Sequence, residues 1–252
     1  MTPEQALVRY LARLGDNALI LGQRLIERVA GESELEEELA NANLALDYIG
    51  QARMYYTRAG QLEGKGRDED DFAFLRGERE FENVLLVERP NGHFGDTVLR
   101  QVLFDAFYVL QLEALERCGD AATAEIAARA VREIRYHLRH AAHWLIRLGD
   151  GTQESHRRVS QSLDTLWRYT GELFAGDEVD DVVRDHYGGP DLAQLAPLWR
   201  ERVAGILAEA RLDMPAEQWM AAGGKSGRHS EHFGYLLAEM QYLQRAFPGA
   251  GW

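Results

Sequence analysis

The sequence has few of the residues that mark disulfide-stabilised or membrane proteins. Cys118 is the only cysteine among 252 residues, which excludes an internal disulfide and a cysteine-based metal cluster and suits a reducing compartment. No apolar run approaches the ~20 residues that a membrane-spanning helix needs. The first residues also lack the basic start and apolar segment of a secretory signal. We therefore expect a cytoplasmic protein with no membrane partner.

Positive charge is also scarce. The chain has 28 Lys and Arg against 41 Asp and Glu, giving a formal net charge of -13. Such a chain is repelled by nucleic acid and by anionic lipid, so we expect neither as a partner. Apolar residues at 46% and charged residues at 27% are typical of a globular protein with a sizeable core.

The alternation of apolar and polar residues that marks β-strands is absent, and helical periodicity dominates. A long helix is predicted over residues 121–149, where Asp120 supplies the cap, Gly149 ends the helix and no proline interrupts it. At ~1.5 Å per residue this helix would span roughly 40 Å, a length typical of long helical bundles.

Three other long helices are predicted, over residues 3–30, 34–62 and 94–117. The first begins at Thr2-Pro3, and the second at the capping box Ser33-Glu34-Leu35-Glu36. Shorter helices are predicted over 152–174, 192–211 and 230–247. Residues 63–92 should form a loop with one short helix, and the acidic residues 175–190 a second loop. The pattern predicts one all-α domain over 1–252, with a core of two hairpins over about 3–149 and a helical extension over about 152–252.

Each long helix carries an acidic residue near its middle, namely Asp16, Asp47, Asp105 and Glu133. Di-iron carboxylate bundles use a related plan, with a Glu from each of two helices and Glu-x-x-His from each of the other two. Residues three apart share a helix face, so one helix can present an oxygen and a nitrogen to the same metal pair.

The ligand pattern is incomplete in this chain. The second helix offers Asp47-Tyr48-Ile49-Gly50-Gln51 without a histidine, and the residue three before His137 is Ile134. This favours a polar bundle core over a metal site, because isolated buried charge must find a partner. In that interpretation the buried polar residues are Asp16, Asp105 and His137. They pair with each other or with neutral donors such as Tyr48 and Gln51.

Two alternatives stay open on residues alone. The chain could be a di-metal oxygenase or oxidase with a non-standard ligand set, formed by Asp16, Asp47, Asp105, Glu133 and His137.

The segment Gly223-Gly224-Lys225-Ser226 is no phosphate loop, because Trp219 replaces the required glycine and no strand precedes it. Lys225 and Arg228 could still contact a partner or an anionic ligand. His229 and His232 are a weaker ligand pair, more typical of a cap or a partner contact.

Several segments spread along the chain match the motifs of one known family. They are Leu14-Gly15-Asp16-Asn17, Asp47-Tyr48-Ile49-Gly50-Gln51-Ala52-Arg53, Leu85-Leu86-Val87-Glu88-Arg89-Pro90-Asn91-Gly92, Arg135-Tyr136-His137-Leu138-Arg139, and a tail from Gly223-Gly224-Lys225 to Arg245. Their order and spacing resemble the structural, non-catalytic subunit, designated C, of the bacterial ring-1,2-phenylacetyl-CoA epoxidases. The resemblance covers nearly the whole chain.

The resemblance implies a ferritin-like four-helix bundle with additional C-terminal helices. It implies a place in a multicomponent monooxygenase that epoxidises the ring of phenylacetyl-CoA in phenylacetate catabolism. A related catalytic subunit would carry the di-iron site, and further subunits would include a reductase. This chain would bind no cofactor itself and would have no catalytic residue.

The catalytic relative has Asp-Glu-x-x-His in its second helix and Glu-Glu-x-x-His in its fourth. On that pattern Tyr48 and Gln51 replace a Glu and a His, and Ile134 replaces a second Glu. Only His137 persists, with acids at two further positions, which are Asp16 and Asp105. The resemblance thus implies a degenerate iron site in a structural partner subunit. A third hypothesis adds a coenzyme A contact through Lys225 and Arg228 to that scaffold role.

Overall fold

The computed structural model describes residues 1–29, 31 and 34–250 and confirms the all-α prediction. Throughout these ranges the chain forms helices joined by turns and loops, without a β-strand. No helix in the described ranges is long and apolar enough to cross a bilayer.

The α-helices include all four of the long helices predicted from the sequence. Their bounds are α1 Pro3–Ile26, α2 Leu35–Glu63, α3 Leu85–Glu88, α4 Phe94–Leu115, α5 Ala121–Gly149, α6 Gln153–Leu166, α7 Glu178–Tyr187, α8 Leu192–Glu209 and α9 Phe233–Ala246. Shorter helical turns cover Asp71–Leu75, Glu78–Glu80, Trp167–Tyr169, Gly171–Phe174 and Gly224–Ser226.

Packing divides the chain into two compact units. The first comprises Met1–Pro90 and Gly223–Trp252, and the second comprises Asn91–Ala222. Each unit contains one long helical hairpin, which is α1–α2 in the first unit and α4–α5 in the second. Two long hairpins are consistent with a ferritin-like bundle. The single domain with a core and an extension stays a prediction.

The predicted starts of α1 and α5 are confirmed by their caps. The Thr2 hydroxyl accepts a hydrogen bond from the Gln5 backbone N–H at 3.2 Å, and Pro3 occupies the first helical position. At the start of α5 the Asp120 carboxylate accepts from the Thr123 N–H at 3.0 Å. These side chains satisfy N–H groups that have no partner within the helix.

The α1–α2 connection differs slightly from the prediction. The α-helix ends at Ile26, not at residue 30, because the following residues tighten into turns with i to i+3 hydrogen bonds. In the predicted capping box before α2, Ser33 lies outside the described residues. At its other end α2 stops at Gly64, whose φ of 66° lies in the left-handed region that glycine tolerates.

The prediction of a loop over residues 175–190 is wrong, because this segment contains α7. The Asp177 carboxylate accepts from the backbone N–H groups of Val179 and Asp180 at 3.0 and 3.2 Å. The acids that suggested a loop therefore cap a helix and favour its first turn electrostatically. Val183 is buried, and Gly188 ends the helix with a φ of 66°.

The α1–α2 hairpin is packed so closely that one position requires glycine. A Cβ atom built at Gly15 would overlap the aromatic ring of Tyr56 on α2. On the same hairpin, Gly50 has no heavy atom within 4 Å of the Cβ position. The two glycines therefore form a matched pair for a test of close packing.

We expect Gly15→Ala to lower the free energy of unfolding by about 1–2 kcal/mol, because the clash with Tyr56 exceeds the gain in helix propensity. Gly50→Ala should instead leave stability unchanged or raise it by up to about 1 kcal/mol. Urea unfolding followed by circular dichroism measures both changes. Equal effects of the two substitutions would contradict the close packing at Gly15.

Candidate functional site

A polar cluster of the first unit surrounds Asp16, which α1 places in the interior with its side chain fully buried. The Tyr56 hydroxyl on α2 donates to Oδ1 of Asp16 at 2.6 Å. The Arg76 guanidinium donates to both carboxylate oxygens, to Oδ2 through Nη1 at 3.2 Å and to Oδ1 through Nη2. The Glu82 backbone N–H adds a bond to Oδ2 at 2.8 Å.

Arg76 is itself fixed by the backbone around it. Its Nε donates to the Phe72 carbonyl at 2.6 Å, and its Nη1 donates to the Glu80 carbonyl at 2.9 Å. The guanidinium carbon lies 4.2 Å from the centre of the Phe81 ring, within the range of a cation–π contact. The segment over residues 72–82 therefore folds around this side chain and holds it against α1.

Tyr56 and Arg76 both keep their protons in this cluster. Burial by itself lowers the pKa of Arg76, but the charge and hydrogen bond of Asp16, with contributions from Tyr56 and Glu80, together outweigh burial and raise that pKa above its ordinary value. Burial raises the pKa of Tyr56 well above its ordinary value, and the negative charge of Asp16 raises it further. A protonated phenol and a guanidinium therefore share one carboxylate.

The sequence correctly predicted a buried polar residue at Asp16 but assigned it the wrong partners. The expected donors Tyr48 and Gln51 are both fully buried on α2, yet the hydrogen bonds to Asp16 come from Tyr56, Arg76 and a backbone N–H. Tyr56 lies two helical turns beyond Tyr48. Arg76 comes from the loop after α2, where helical periodicity gives no information.

The second unit holds the other predicted positions. Asp105 on α4 is fully buried, as are Ile134 and His137 on α5. The Gln101 amide donates to Oδ2 of Asp105 at 3.3 Å. The two polar residues predicted to be buried in this hairpin, Asp105 and His137, therefore do lie in the interior of its unit.

The acids of the alternative di-metal ligand set lie in dissimilar environments. Asp47 is half-buried, whereas Glu133 is 23% exposed and pairs with Arg129 one turn earlier at 3.4 Å. Across the described ranges, no three His, Cys, Asp or Glu side chains form a group that could hold a metal ion. That this chain binds no iron stays a prediction.

The glycines of the Gly223–Gly227 loop allow close backbone packing. A Cβ at Gly224 would overlap the Asn83 carbonyl, and one at Gly227 would overlap the Arg79 carbonyl. The loop forms a short 3₁₀ turn over Gly224–Ser226. Packing against residues 79–85 therefore accounts for the glycines that resemble a phosphate loop.

The two basic residues of this loop are held differently. Lys225 is half-buried, and its carbonyl accepts from Nη2 of Arg13 at 3.3 Å. Arg228 is exposed, and its Nε donates to the Ser226 hydroxyl at 3.3 Å. A contact of Lys225 and Arg228 with coenzyme A or a partner stays a prediction.

A second buried ion pair, between His229 and Glu88, could not be anticipated from the sequence. His229 Nδ1 lies 2.7 Å from Oε2 of Glu88, and its Nε2 lies 2.9 Å from the Phe81 carbonyl oxygen. A carbonyl only accepts, so Nε2 carries a proton. Glu88 also accepts from the Ser230 N–H at 2.6 Å and from the Asn83 amide at 3.0 Å. The arrangement therefore favours an imidazolium facing a carboxylate.

The electrostatics of His229 agree with this geometry. Burial lowers the pKa of His229, but the hydrogen bond and charge of Glu88 outweigh burial, with smaller contributions from the Phe81 carbonyl and Asp16. The net result is a pKa above the ordinary histidine value. The sequence singled out His229 only as a weak ligand or a partner contact, and nothing local links it to Glu88, 141 positions away.

Residues 1–252 match the model of a family described as phenylacetic acid catabolic protein. The chain belongs to this family. It is 47% identical over 246 residues to the subunit designated C of the 1,2-phenylacetyl-CoA epoxidase of Escherichia coli strain K12. The alignment covers 98% of this chain and 99% of that protein. The resemblance stated from the sequence motifs is thereby confirmed.

In this member of the family the residues around Asp16 do not fit a metal-ligand set. A ligating carboxylate must direct a lone pair at the metal ion, but both Asp16 oxygens accept hydrogen bonds from a guanidinium. A metal cation placed against the same carboxylate would be repelled by Arg76 in a buried, poorly screened environment. The cation that neutralises Asp16 is thus a side chain of the protein.

We expect Asp16→Asn to lower the free energy of unfolding by about 3–5 kcal/mol, because it leaves the buried Arg76 guanidinium without its counter-charge. Tyr56→Phe removes one neutral donor from the same cluster and should cost only about 1 kcal/mol. Urea unfolding of the isolated chain measures both. If Asp16→Asn lowers the free energy of unfolding no more than Tyr56→Phe does, the ion pair contributes little to stability.

The His229–Glu88 pair predicts a specific pH dependence. Because the folded pKa of His229 lies above its unfolded value of ~6.5, the imidazolium stabilises the fold fully below that pH. This stabilisation is lost as the pH rises through the raised folded pKa. The free energy of unfolding should therefore fall above pH ~6.5 more steeply in the wild type than in His229→Gln.

Urea unfolding at a series of pH values from mildly acidic to mildly alkaline measures this difference. His143→Gln, at an exposed position of α5, is the control and should keep the wild-type slope. Identical slopes for the wild type and His229→Gln would contradict the imidazolium assignment.

Proposed function

We propose that this chain is the non-catalytic structural subunit of a multicomponent di-iron monooxygenase that epoxidises the ring of phenylacetyl-CoA in phenylacetate catabolism. It pairs with a related iron-bearing subunit and supports the fold or solubility of that subunit. Support for the complex comes from the 47% identity to an epoxidase subunit over nearly the full length of both chains.

The observation that carries the non-catalytic role is the Arg76 guanidinium against Asp16. The positions that would complete a ligand set hold Tyr48, Gln51 and Ile134, which lack the carboxylates and imidazole of the catalytic pattern. A phenol, an amide and an alkyl side chain are poor substitutes for these ligands. In this proposal the oxygen chemistry belongs to the partner subunit.

The residues of this chain then have a structural task. The Asp16 cluster ties α1, α2 and the segment over 72–82 together, a role that a bound metal ion fulfils in a metal-centred bundle. The His229–Glu88 pair attaches the C-terminal tail to α3 and the loop before it. Together the two clusters allow the first unit to hold its shape without iron and to present a preformed surface to its partner.

Co-expression with the iron-bearing subunit tests both parts of the proposal. We expect the two chains to co-purify, and iron to appear in the complex but at far below stoichiometric levels in this chain purified alone. Elemental analysis of chain and complex from the same iron-supplemented cells provides the comparison.

Failure of the two chains to associate would contradict the partner role. Stoichiometric iron in the isolated chain would contradict the non-catalytic role and favour the di-metal alternative. In that case His137→Ala should remove the bound iron.

A further inference from the structure

The outward face of α2 carries a line of exposed leucines. Leu35, Leu39 and Leu46 are 66%, 57% and 63% exposed. Separations of four and seven residues place them on one side of the helix, and Gly50 continues the line four residues further. Single exposed leucines are common on protein surfaces, but an aligned set on one helix face is typical of an interaction site.

This leucine face is not needed to hold α2 in the fold. The opposite side of α2 is anchored in the first unit by fully or almost fully buried residues, including Leu44, Tyr48 and Tyr55. At Gly50 nothing lies within 4 Å of the Cβ position, so there is room for the side chain of an approaching helix. The leucine face therefore presents apolar surface that the described part of the chain leaves exposed.

The charged residues of the leucine-bearing part of α2, from Leu35 to Asp47, are all acidic. Between Arg28 and Arg53 the sequence contains no Lys or Arg. The first turn of α2 carries Glu36, Glu37 and Glu38, and Asp47 follows directly after Leu46. A partner surface that covers the leucines must therefore lie against negative charge, which favours a basic partner.

We propose that the leucine face of α2 docks against a helix of the iron-bearing partner subunit, whose own apolar stripe is flanked by Lys or Arg. This inference rests on the proposed function and names the surface that serves it. Leucines packed against an apolar helix would supply most of the affinity, and the flanking charges would steer association and fix the register.

Charge also argues against a second copy of this chain as the occupant. An antiparallel pair that matches Leu39 with Leu46 of the other copy would place Glu38 opposite Asp47. Each copy also carries a formal net charge of -13, so the two would repel each other. A basic helix of a different chain avoids both problems.

The test compares the double variant Leu39→Glu/Leu46→Glu with the control Leu198→Glu in binding to the purified iron-bearing subunit. Leu198 on α8 is 50% exposed, so it matches the leucines of α2 in chemistry and accessibility. We expect the double variant to bind about 100-fold more weakly and the control to bind like the wild type. Circular dichroism and thermal unfolding of each variant confirm that it is folded.

A charge-reversal variant tests the identity of the occupant. Glu36→Lys/Glu38→Lys should lower the association rate constant about tenfold at low salt and reduce its salt dependence. If the partner helix is basic, the association rate constant must fall in this variant. A faster association of the charge-reversal variant would overturn the assignment of a basic partner.

The outcomes separate this inference from the proposed function. If the wild type fails to bind the iron-bearing subunit, the proposed function itself is wrong. If the wild type binds and the double variant binds equally well, only the docking surface is wrong. If the wild type forms a homodimer that the double variant abolishes, the occupant is a second copy and the proposal is overturned.

Discussion

The first unit of this protein depends on one buried ion pair, between the carboxylate of Asp16 and the guanidinium of Arg76. Neither charge is tolerable alone in an interior that excludes water, so each requires the other in one geometry. That geometry fixes α1 through Asp16, α2 through Tyr56, and the following loop through the backbone carbonyls that hold Arg76. A polar cluster thus fixes three segments relative to one another in addition to their apolar packing.

The helices were predictable from sequence because their determinants are local. Caps such as Thr2 and Asp120, and apolar residues at helical spacing, define α1, α4 and α5 within a few residues. The loop predicted in place of α7 shows the limit of composition as a guide. Several acids suggest a solvated loop, but their effect depends on whether the first of them, Asp177, can cap the turn that follows.

The candidate site was predictable only in part. The incomplete ligand pattern predicted a polar core that includes Asp16, Asp105 and His137, and the family resemblance implied that ligand positions are substituted. The sequence could not show which residues donate hydrogen bonds to Asp16, because Arg76 lies 60 positions away in a loop without regular periodicity. The His229–Glu88 pair was missed for the same reason. Partners brought together by tertiary structure leave no local pattern in a single sequence.

The guanidinium against Asp16 also affects how this chain could change. Introducing a missing metal ligand by one substitution would leave Arg76 in place, so a metal ion and a fixed positive charge would compete for the same carboxylate. Removing Arg76 first would leave the buried carboxylate of Asp16 without a counter-charge before any metal site exists. Loss of Arg76 alone therefore passes through a less stable protein. A metal ion could therefore bind at Asp16 only if a new ligand appeared and Arg76 was lost together.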